Sequence, residues 1–561
     1  LHLNRPEKKR QMELIDQHTK KVMEGCKERA RQAGLRFQEE TLEYIVSNRD
    51  LLELSPKMMI PTLYDYWVHD VEVLKERGKY ELYPVNPYET VINTRPAISF
   101  YNDNNPDWLN VMIFYHVLAH IDLFQNNLYF RGTWDYDFTG RALADKRMIA
   151  RLRSQRGRWV DYVIEFARGV DNLVGYYRQL GLLQETVIKN GNERLDYYFD
   201  VFLQSGGEIS VSDYVEKVEQ YNKCKREHGE FGEEVFFDEI KKKHPEFEAS
   251  FEKYKKEKKA SNLDPMEFLM EYSPFLAKKE NRWMNAVLEV IRNTSLFFQP
   301  QIRTKIMNEG WASYWHEILF LNDDRIKGNE VNFARVNAYV TSLPRVGLNP
   351  YALGMRLFSH IKEYGDKGKI SLDFDRLKDS KSREEYDAKL GKGDELIFQV
   401  RENMCDFTFI QKFVDQDFVD KYKLFVSGKR LNRAKMVWEY YVKSRNAGDY
   451  RQMLIDGLYH PPKIEVVPEK SKEGGLYLNH RFEGKPLVKD FIANTMIGLE
   501  FLWGGAVQLE TSEVSPPAIP SAGVLPTGVK APGQAGAEEK ITWQRVLYTM
   551  DKKKLSRKVI G

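Results

Sequence analysis

The sequence runs to 561 residues, with 42% apolar and 30% charged residues and 31 Tyr, 31 Phe and 10 Trp, which excludes a disordered chain because aromatics on this scale offset the entropy of ordering. Lys and Arg number 85 against 82 Asp and Glu, a net charge of only +3, so no global field draws a polyanion and nucleic acid is not an expected partner. Three scattered cysteines, Cys26, Cys224 and Cys405, exclude a zinc ribbon, a Cys-x-x-Cys redox motif and a disulfide scaffold; with the charged opening from Leu1 to Arg10, which lacks a secretory pattern, they set the expectation of a reducing cytoplasm.

Residues 10–80 carry helical periodicity, 80–105 read as a short extended segment punctuated by prolines, and helices resume at about Pro106. An amphipathic helix is predicted from Trp159 to Leu180, before a polar turn around Asn190. Residues 205–262 alternate in charge and read as an inserted helical appendage with a narrow apolar stripe. Helical patterning returns from Pro265 to Tyr364, and Gly, Asp and Lys then become frequent, which suggests a boundary near 390.

Beyond it, Pro462 to Leu487 alternates as a hairpin, a helix ends near Trp503, and Ala506 to Glu510 is strand-like. The segment from Phe491 to Leu509 is interrupted by Asn494, Glu500, Gly504 and Gly505, so no membrane span is expected. The expected domains are a helical core over 1–390 containing the 205–262 insertion, an α+β unit over 391–510, a Pro/Gly/Ala-rich linker over 511–540, and a basic tail over 541–561. In that tail Trp543, Val546, Leu547 and Met550 share a helical stripe, which predicts a short docking helix.

His116 and His120 stand four apart in Phe-Tyr-His-Val-Leu-Ala-His-Ile-Asp. On a helix they share a face one turn apart, a spacing that lets two imidazoles bind one metal, although the spacing alone is a weak signal. A second segment, Met307-Asn-Glu-Gly-Trp-Ala-Ser-Tyr-Trp-His316-Glu317, places Glu309 and His316 two turns apart. A Glu before Gly-Trp-Ala is similar to the helix that supplies a glutamate ligand in some gluzincin metallopeptidases. That likeness implies one Zn²⁺, or another divalent ion, held by His116, His120 and Glu309, with His316 as fourth ligand or proton carrier. In the alternative, Glu309 and His316 only cap and pack.

Gluzincins need His-Glu-x-x-His, and here the base position is Val117. Either the site does not hydrolyse peptides or a general base comes from elsewhere, the candidates being Glu317 and the pair Asp161 and Glu165 on a helix stripe continued by Arg168 and Asn172. That stripe also reads as a surface ion-pair ladder. No histidine has Glu three residues before it, and the phosphate-binding loop, the dinucleotide Gly-x-Gly-x-x-Gly and the Gly-x-Ser-x-Gly elbow do not occur.

These residues make the chain recognisable: it resembles the stage V sporulation protein R (SpoVR) family. The matching stretches are 59–67 (Met-Ile-Pro-Thr-Leu-Tyr-Asp-Tyr-Trp), 88–96, His116 to Asn127, Gln301 to His316, Asn-Pro-Tyr-Ala-Leu-Gly at 349–354, 406–413, 423–425 and 502–504. His116, His120, Asp122, Asn126 and Asn127 keep the family pattern. Arg335, Asn337 and Arg168 stand where family histidines are expected, and His360 where Asp is usual, so a second metal site is not expected. The resemblance implies cytoplasmic work tied to spore cortex formation or stress response, beside a PrkA-type AAA+ serine kinase and a von Willebrand factor A type protein.

The expected fold is mainly α, with a zincin-like helical metal-site core, a short β segment and a small C-terminal α+β unit. The expected function is metal-assisted hydrolysis of a peptide or peptidoglycan-related amide, with Glu317, Glu165, Asp161 or His316 moving protons. The alternative is a non-catalytic scaffold in a kinase-containing assembly.

Overall fold

The computed structural model describes residues 13–38, 40–47, 89–134, 137–175, 193–198, 202, 211–252, 255, 263–344, 346–432, 437–458, 461–471, 475–482, 485–515 and 543–560. The 59–67 block, the turn around Asn190 and residues 516–540 of the expected linker lie outside them. Counting helices of eight residues or more, the described chain runs β1 (Glu13–Leu14), α1 (Gln17–Gln32), β2 (Thr41–Val46), β3 (Glu89–Ile92), β4 (Ala97–Asn102), α2 (Asp107–Asn126), α3 (Phe138–Arg156) and α4 (Trp159–Arg168). Then come α5 (Val211–His228), α6 (Gly232–Lys243), α7 (Pro265–Tyr272), α8 (Arg282–Arg303), α9 (Lys305–Leu321), α10 (Glu330–Val340), α11 (Pro350–Lys367), α12 (Gly393–Asn403) and α13 (Asp406–Phe413). The remainder is β5 (Val426–Asn432), β6 (Val437–Ser444), α14 (Ala447–Gly457), β7 (Lys463–Val466), β8 (Gly475–Arg481), α15 (Lys489–Trp503), β9 (Ala506–Val514), β10 (Trp543–Asp551) and β11 (Lys554–Val559). The protein is mainly helical, as the periodicity predicts.

Two compact units emerge, one of residues 1–161 and 293–460, the other of 162–292 and 461–561. The boundary expected near 390 therefore falls inside the first unit, where α12 packs against α11. Both units are discontinuous in sequence, which a reading of local composition cannot detect.

In the first unit α2 is the central element. Every residue from Leu109 to Phe124 is buried, so the helix has no polar face and no amphipathic stripe. Each fully buried Leu, Ile or Phe there contributes roughly 1.5–3 kcal/mol before entropy is set against it. Helix α9 packs on α2 and on α11, and α1 covers another side of α2. A four-stranded sheet of order β1-β2-β4-β3 completes this layer. Its β2 was expected within a helical stretch but pairs in parallel with β4, Thr41 opposite Ala97 to Val46 opposite Asn102. The β-branched and aromatic run Thr-Leu-Glu-Tyr-Ile-Val suits a strand once a partner is present.

In the second unit the 205–262 appendage is more than a solvated hairpin. Phe236, Phe237 and Phe247 are fully buried, and Tyr197 and Tyr198, upstream of the expected insertion, join the same cluster. The expected helix from Trp159 ends at Arg168 and gives way to a 3₁₀ turn at Asp171–Leu173. The hairpin β7–β8 forms as predicted, and α15 ends at Gly504 in a left-handed conformation (φ +79°), where a glycine carries no Cβ penalty. Among the described residues no helix is long and apolar enough to cross a membrane.

The predicted docking helix at 543–550 is instead β10. It pairs antiparallel with β9 and with β11, giving the sheet order β11-β10-β9-β8-β7. Val546, Tyr548 and Met550 are buried on one face at period two. The sequence Trp-Gln-Arg-Val-Leu-Tyr-Thr-Met satisfies both the helical and the strand pattern, and the unpaired edge of β9 decides between them.

Candidate metal centre

The two histidines of α2 lie on one face, their rings 4.6 Å apart and perpendicular. Their counterpart, Glu309, sits in the second turn of α9. That helix begins at Lys305 without a side-chain cap from Thr304. Its free amides are met instead by Asp406 at the start of α13, whose Oδ2 accepts from Ile306 N and Oδ1 from Met307 N, both at 2.8 Å. Further along, the glycines of Glu-Gly-Trp-Ala and Asn-Pro-Tyr-Ala-Leu-Gly face each other. A Cβ on Gly310 would lie 2.4 Å from Gly354 Cα, and one on Gly354 2.1 Å from Ile306 O. Glycine at both positions lets the α9 and α11 backbones touch.

His116 Nε2 lies 3.8 Å and His120 Nε2 3.6 Å from Glu309 Oε2, and one ligand atom from each of the three residues lies within 4.8 Å of the others. Metal–ligand bonds of about 2.0–2.1 Å in a tetrahedron put ligand atoms about 3.3 Å apart, so the two carboxylate edges fit a divalent ion after a small inward closure. Three protein ligands leave a fourth position open, the arrangement of catalytic rather than structural zinc sites. The imidazoles are about 5–6% exposed. Burial, reinforced by neighbouring His116, holds His120 down to about 4, so its ring is neutral and ready to coordinate at neutral pH. Burial pushes Glu309 up, but its neighbours His116, His120 and Lys305 bring its carboxyl below the usual range. Asn308 Oδ1 lies 2.8 Å from His120 Nδ1 and accepts its hydrogen bond, which leaves the His120 Nε2 lone pair facing Glu309. Among the described residues this is the one His/Cys/Asp/Glu group arranged for a metal ion.

The other expected site residues fall elsewhere. His316 is not a fourth ligand: its Nδ1 is 2.9 Å from His116 Nδ1 and its Nε2 3.0 Å from Asn337 Oδ1, one layer behind the cluster. Burial, then His116, pushes its imidazole down to about 3. Glu317 accepts from Asn337 Nδ2 on the wall of an open cavity of about 630 Å³, which Phe333 and Arg356 also line. Asp161 is held by Arg153 at 2.8 Å, and Glu165 is an exposed residue assigned to the second unit; neither belongs to the group of His116, His120 and Glu309. Spacing along one helix says which side chains share a face, not what that face meets. Val117 is fully buried in the core. His360 pairs with Asp415 at 3.2 Å.

The positioning roles of Asn308, Asn337 and Asp406 escaped the sequence reading. Asn308 adjoins Glu309 and had a local signal; Asp406 caps a helix from 100 residues away and had none. The retained polar residues after His120 are clamps. Asp122 accepts from Arg36 N at 2.7 Å and Trp311 Nε1 at 2.9 Å and pairs with Arg401 at 3.2 Å. Asn127 donates to the carbonyls of Arg401 and Met404 at 2.6 and 2.9 Å.

Comparison with known proteins places the chain in a family. The family model described as SpoVR like protein matches residues 11–458. A protein of Escherichia coli (strain K12) described as uncharacterized protein YcgB is 25% identical over 337 residues, 57% of this chain and 58% of that protein. No solved structure matches. The aligned blocks include both helices of the cluster, and the family model spans well over half of the chain: the protein belongs to the SpoVR family.

Proposed function

We propose that this SpoVR-family protein holds one divalent ion of the zinc class through His116, His120 and Glu309, and uses it in hydrolysis of a peptide or peptidoglycan-related amide. The observation that carries the reading is the convergence of two buried imidazoles and a carboxylate; three protein ligands would leave the fourth position of a tetrahedral ion to water or substrate. A bound ion of this kind polarises a carbonyl and lowers the pKa of a coordinated water to about 7. The chain's own residues do the rest: Asn308 orients His120, Asp406 and the Gly310–Gly354 contact fix Glu309, and α2 excludes bulk water from one side. The core is zincin-like in this limited sense, a helix with two ligating histidines one turn apart and a glutamate from a later helix.

A second reading, a regulatory scaffold working with a PrkA-type kinase and a von Willebrand factor A type protein, is favoured by one observation. Val117 stands at the position of the usual base. The ion would then be structural or regulatory.

Elemental analysis of the purified chain tests the site: about one equivalent of a divalent ion is expected, lost in His116→Ala and in Glu309→Ala. Equal content in wild type and a His116/His120/Glu309 triple alanine variant overturns it. With the ion bound, release of amines from peptide and muropeptide panels separates the two readings.

A further inference from the structure

We infer that Glu317 and Asn337 are positioning residues which, through His316, lock His116 in its Nδ1–H tautomer and so turn its bare Nε2 toward Glu309. The argument follows hydrogen-bond polarity inward from the cavity. A carboxylate only accepts, so Asn337 presents its NH₂ group to Glu317. The Asn337 oxygen is then left for His316 Nε2, 3.0 Å away, which donates to it. A neutral imidazole has one N–H, so His316 Nδ1 is an acceptor. The 2.9 Å contact between the two Nδ1 atoms closes only if His116 Nδ1 is the donor. His116 Nε2, 3.8 Å from Glu309 Oε2, then carries a lone pair.

This lock has an electrostatic consequence. His120 Nε2 is already bare because the ring carries its proton on Nδ1, which donates to Asn308 Oδ1. Two nitrogen lone pairs and a carboxylate therefore face one another with no hydrogen between them, which is unfavourable in a buried site unless a cation lies there. The lock itself needs no metal, while the benefit of it rests on the metal reading above. It also gives His316 and Glu317, which the cluster leaves behind it, a defined role. Because Glu317 lines the open cavity, its substitution does not force a new group into the core.

The test reads the tautomer directly. Full-length protein, ¹⁵N-labelled at histidine and freed of metal by chelation, is examined by NMR at about pH 8.5, two units above the ordinary imidazole value, with His116 assigned from its loss in His116→Gln. Wild type is expected to show a protonated Nδ1 and an unprotonated Nε2. In Glu317→Gln the carboxamide donates as well as accepts, Asn337 can turn over, and both tautomers appear. In Glu317→Lys the ammonium only donates, so the chain reverses and His116 carries its proton on Nε2. Affinity for Zn²⁺ alone should fall about tenfold or more in Glu317→Lys, a change that mere loss of packing would not couple to the tautomer. The proposal is overturned if wild type shows Nε2–H, or if His116 keeps Nδ1–H in both variants. Should Glu317→Lys fail to fold, the mixed tautomers of the near-isosteric Glu317→Gln carry the test. The expected tautomers in a wild type that binds no Zn²⁺ support the lock and overturn the metal reading instead.

Discussion

Replacing Gly310 by alanine probes the contact that sets Glu309. The added methyl would lie 2.4 Å from both Cα and C of Gly354 and 2.8 Å from Met355 N. Ordinary contact begins near 3.4 Å, so α9 and α11 must separate by about 1 Å. All three neighbours are backbone atoms, and no rotamer change relieves them. Overpacking of this kind costs about 1–3 kcal/mol, against about 1 kcal/mol gained from the better helix propensity of alanine. The net loss expected in urea unfolding of the first unit is therefore only about 0–2 kcal/mol. The larger effect is geometric. Glu309 adjoins the glycine, and metal sites tolerate about 0.2 Å in ligand distance, so a shift of about 1 Å should lower divalent-ion affinity at least tenfold, measured by competition with a chelator. Gly457→Ala is the control, because a Cβ there meets nothing within 4 Å. Unchanged stability together with affinity within twofold of wild type in Gly310→Ala would refute the reasoning, since it would show that the two helices do not hold each other in place.

Asp406→Ala removes the acceptors for Ile306 N and Met307 N and should cost about 1–2 kcal/mol, with faster amide exchange confined to the first turn of α9; exchange unchanged there would count against the cap. Asp323 accepts from Tyr115 Oη at 2.7 Å and Arg325 Nη2 at 2.5 Å; burial opposes its ionisation, but these bonds hold its carboxyl down to about 2. A depressed carboxyl contributes stability above its unfolded value near 4 and loses it as pH falls toward 2, so Asp323→Asn should be less stable by on the order of 1–2 kcal/mol at neutral pH, with the gap to wild type closing below about pH 4. A gap independent of pH would contradict this. Deleting residues 516–561 strips β10 and β11 from β9 and uncovers the apolar faces packed by Val546, Tyr548 and Met550; at roughly 1.5–3 kcal/mol per buried side chain, the second unit should lose its cooperative unfolding transition. Retention of that transition would mean the two strands are peripheral.

The sequence by itself determined the helical class, the start of α2 after Pro106, the β7–β8 hairpin, the glycine stop after Trp503, and the shared helix face of His116 and His120. These are local properties. Helical period places residues four apart on one face, proline and glycine set backbone torsions within a residue or two, and a motif is read from neighbours in the chain. The tertiary structure decided what depends on residues distant in sequence. Whether Trp543–Met550 is a helix or a strand turns on the open edge of β9. Whether His316 binds metal or stands behind His116 turns on the direction in which α9 presents its second turn. The two discontinuous units, the Asp406 cap and the hydrogen-bonded chain from Glu317 to His116 arise only when segments up to 200 residues apart are packed together, because hydrogen-bond polarity and burial belong to the packed arrangement and not to any one segment.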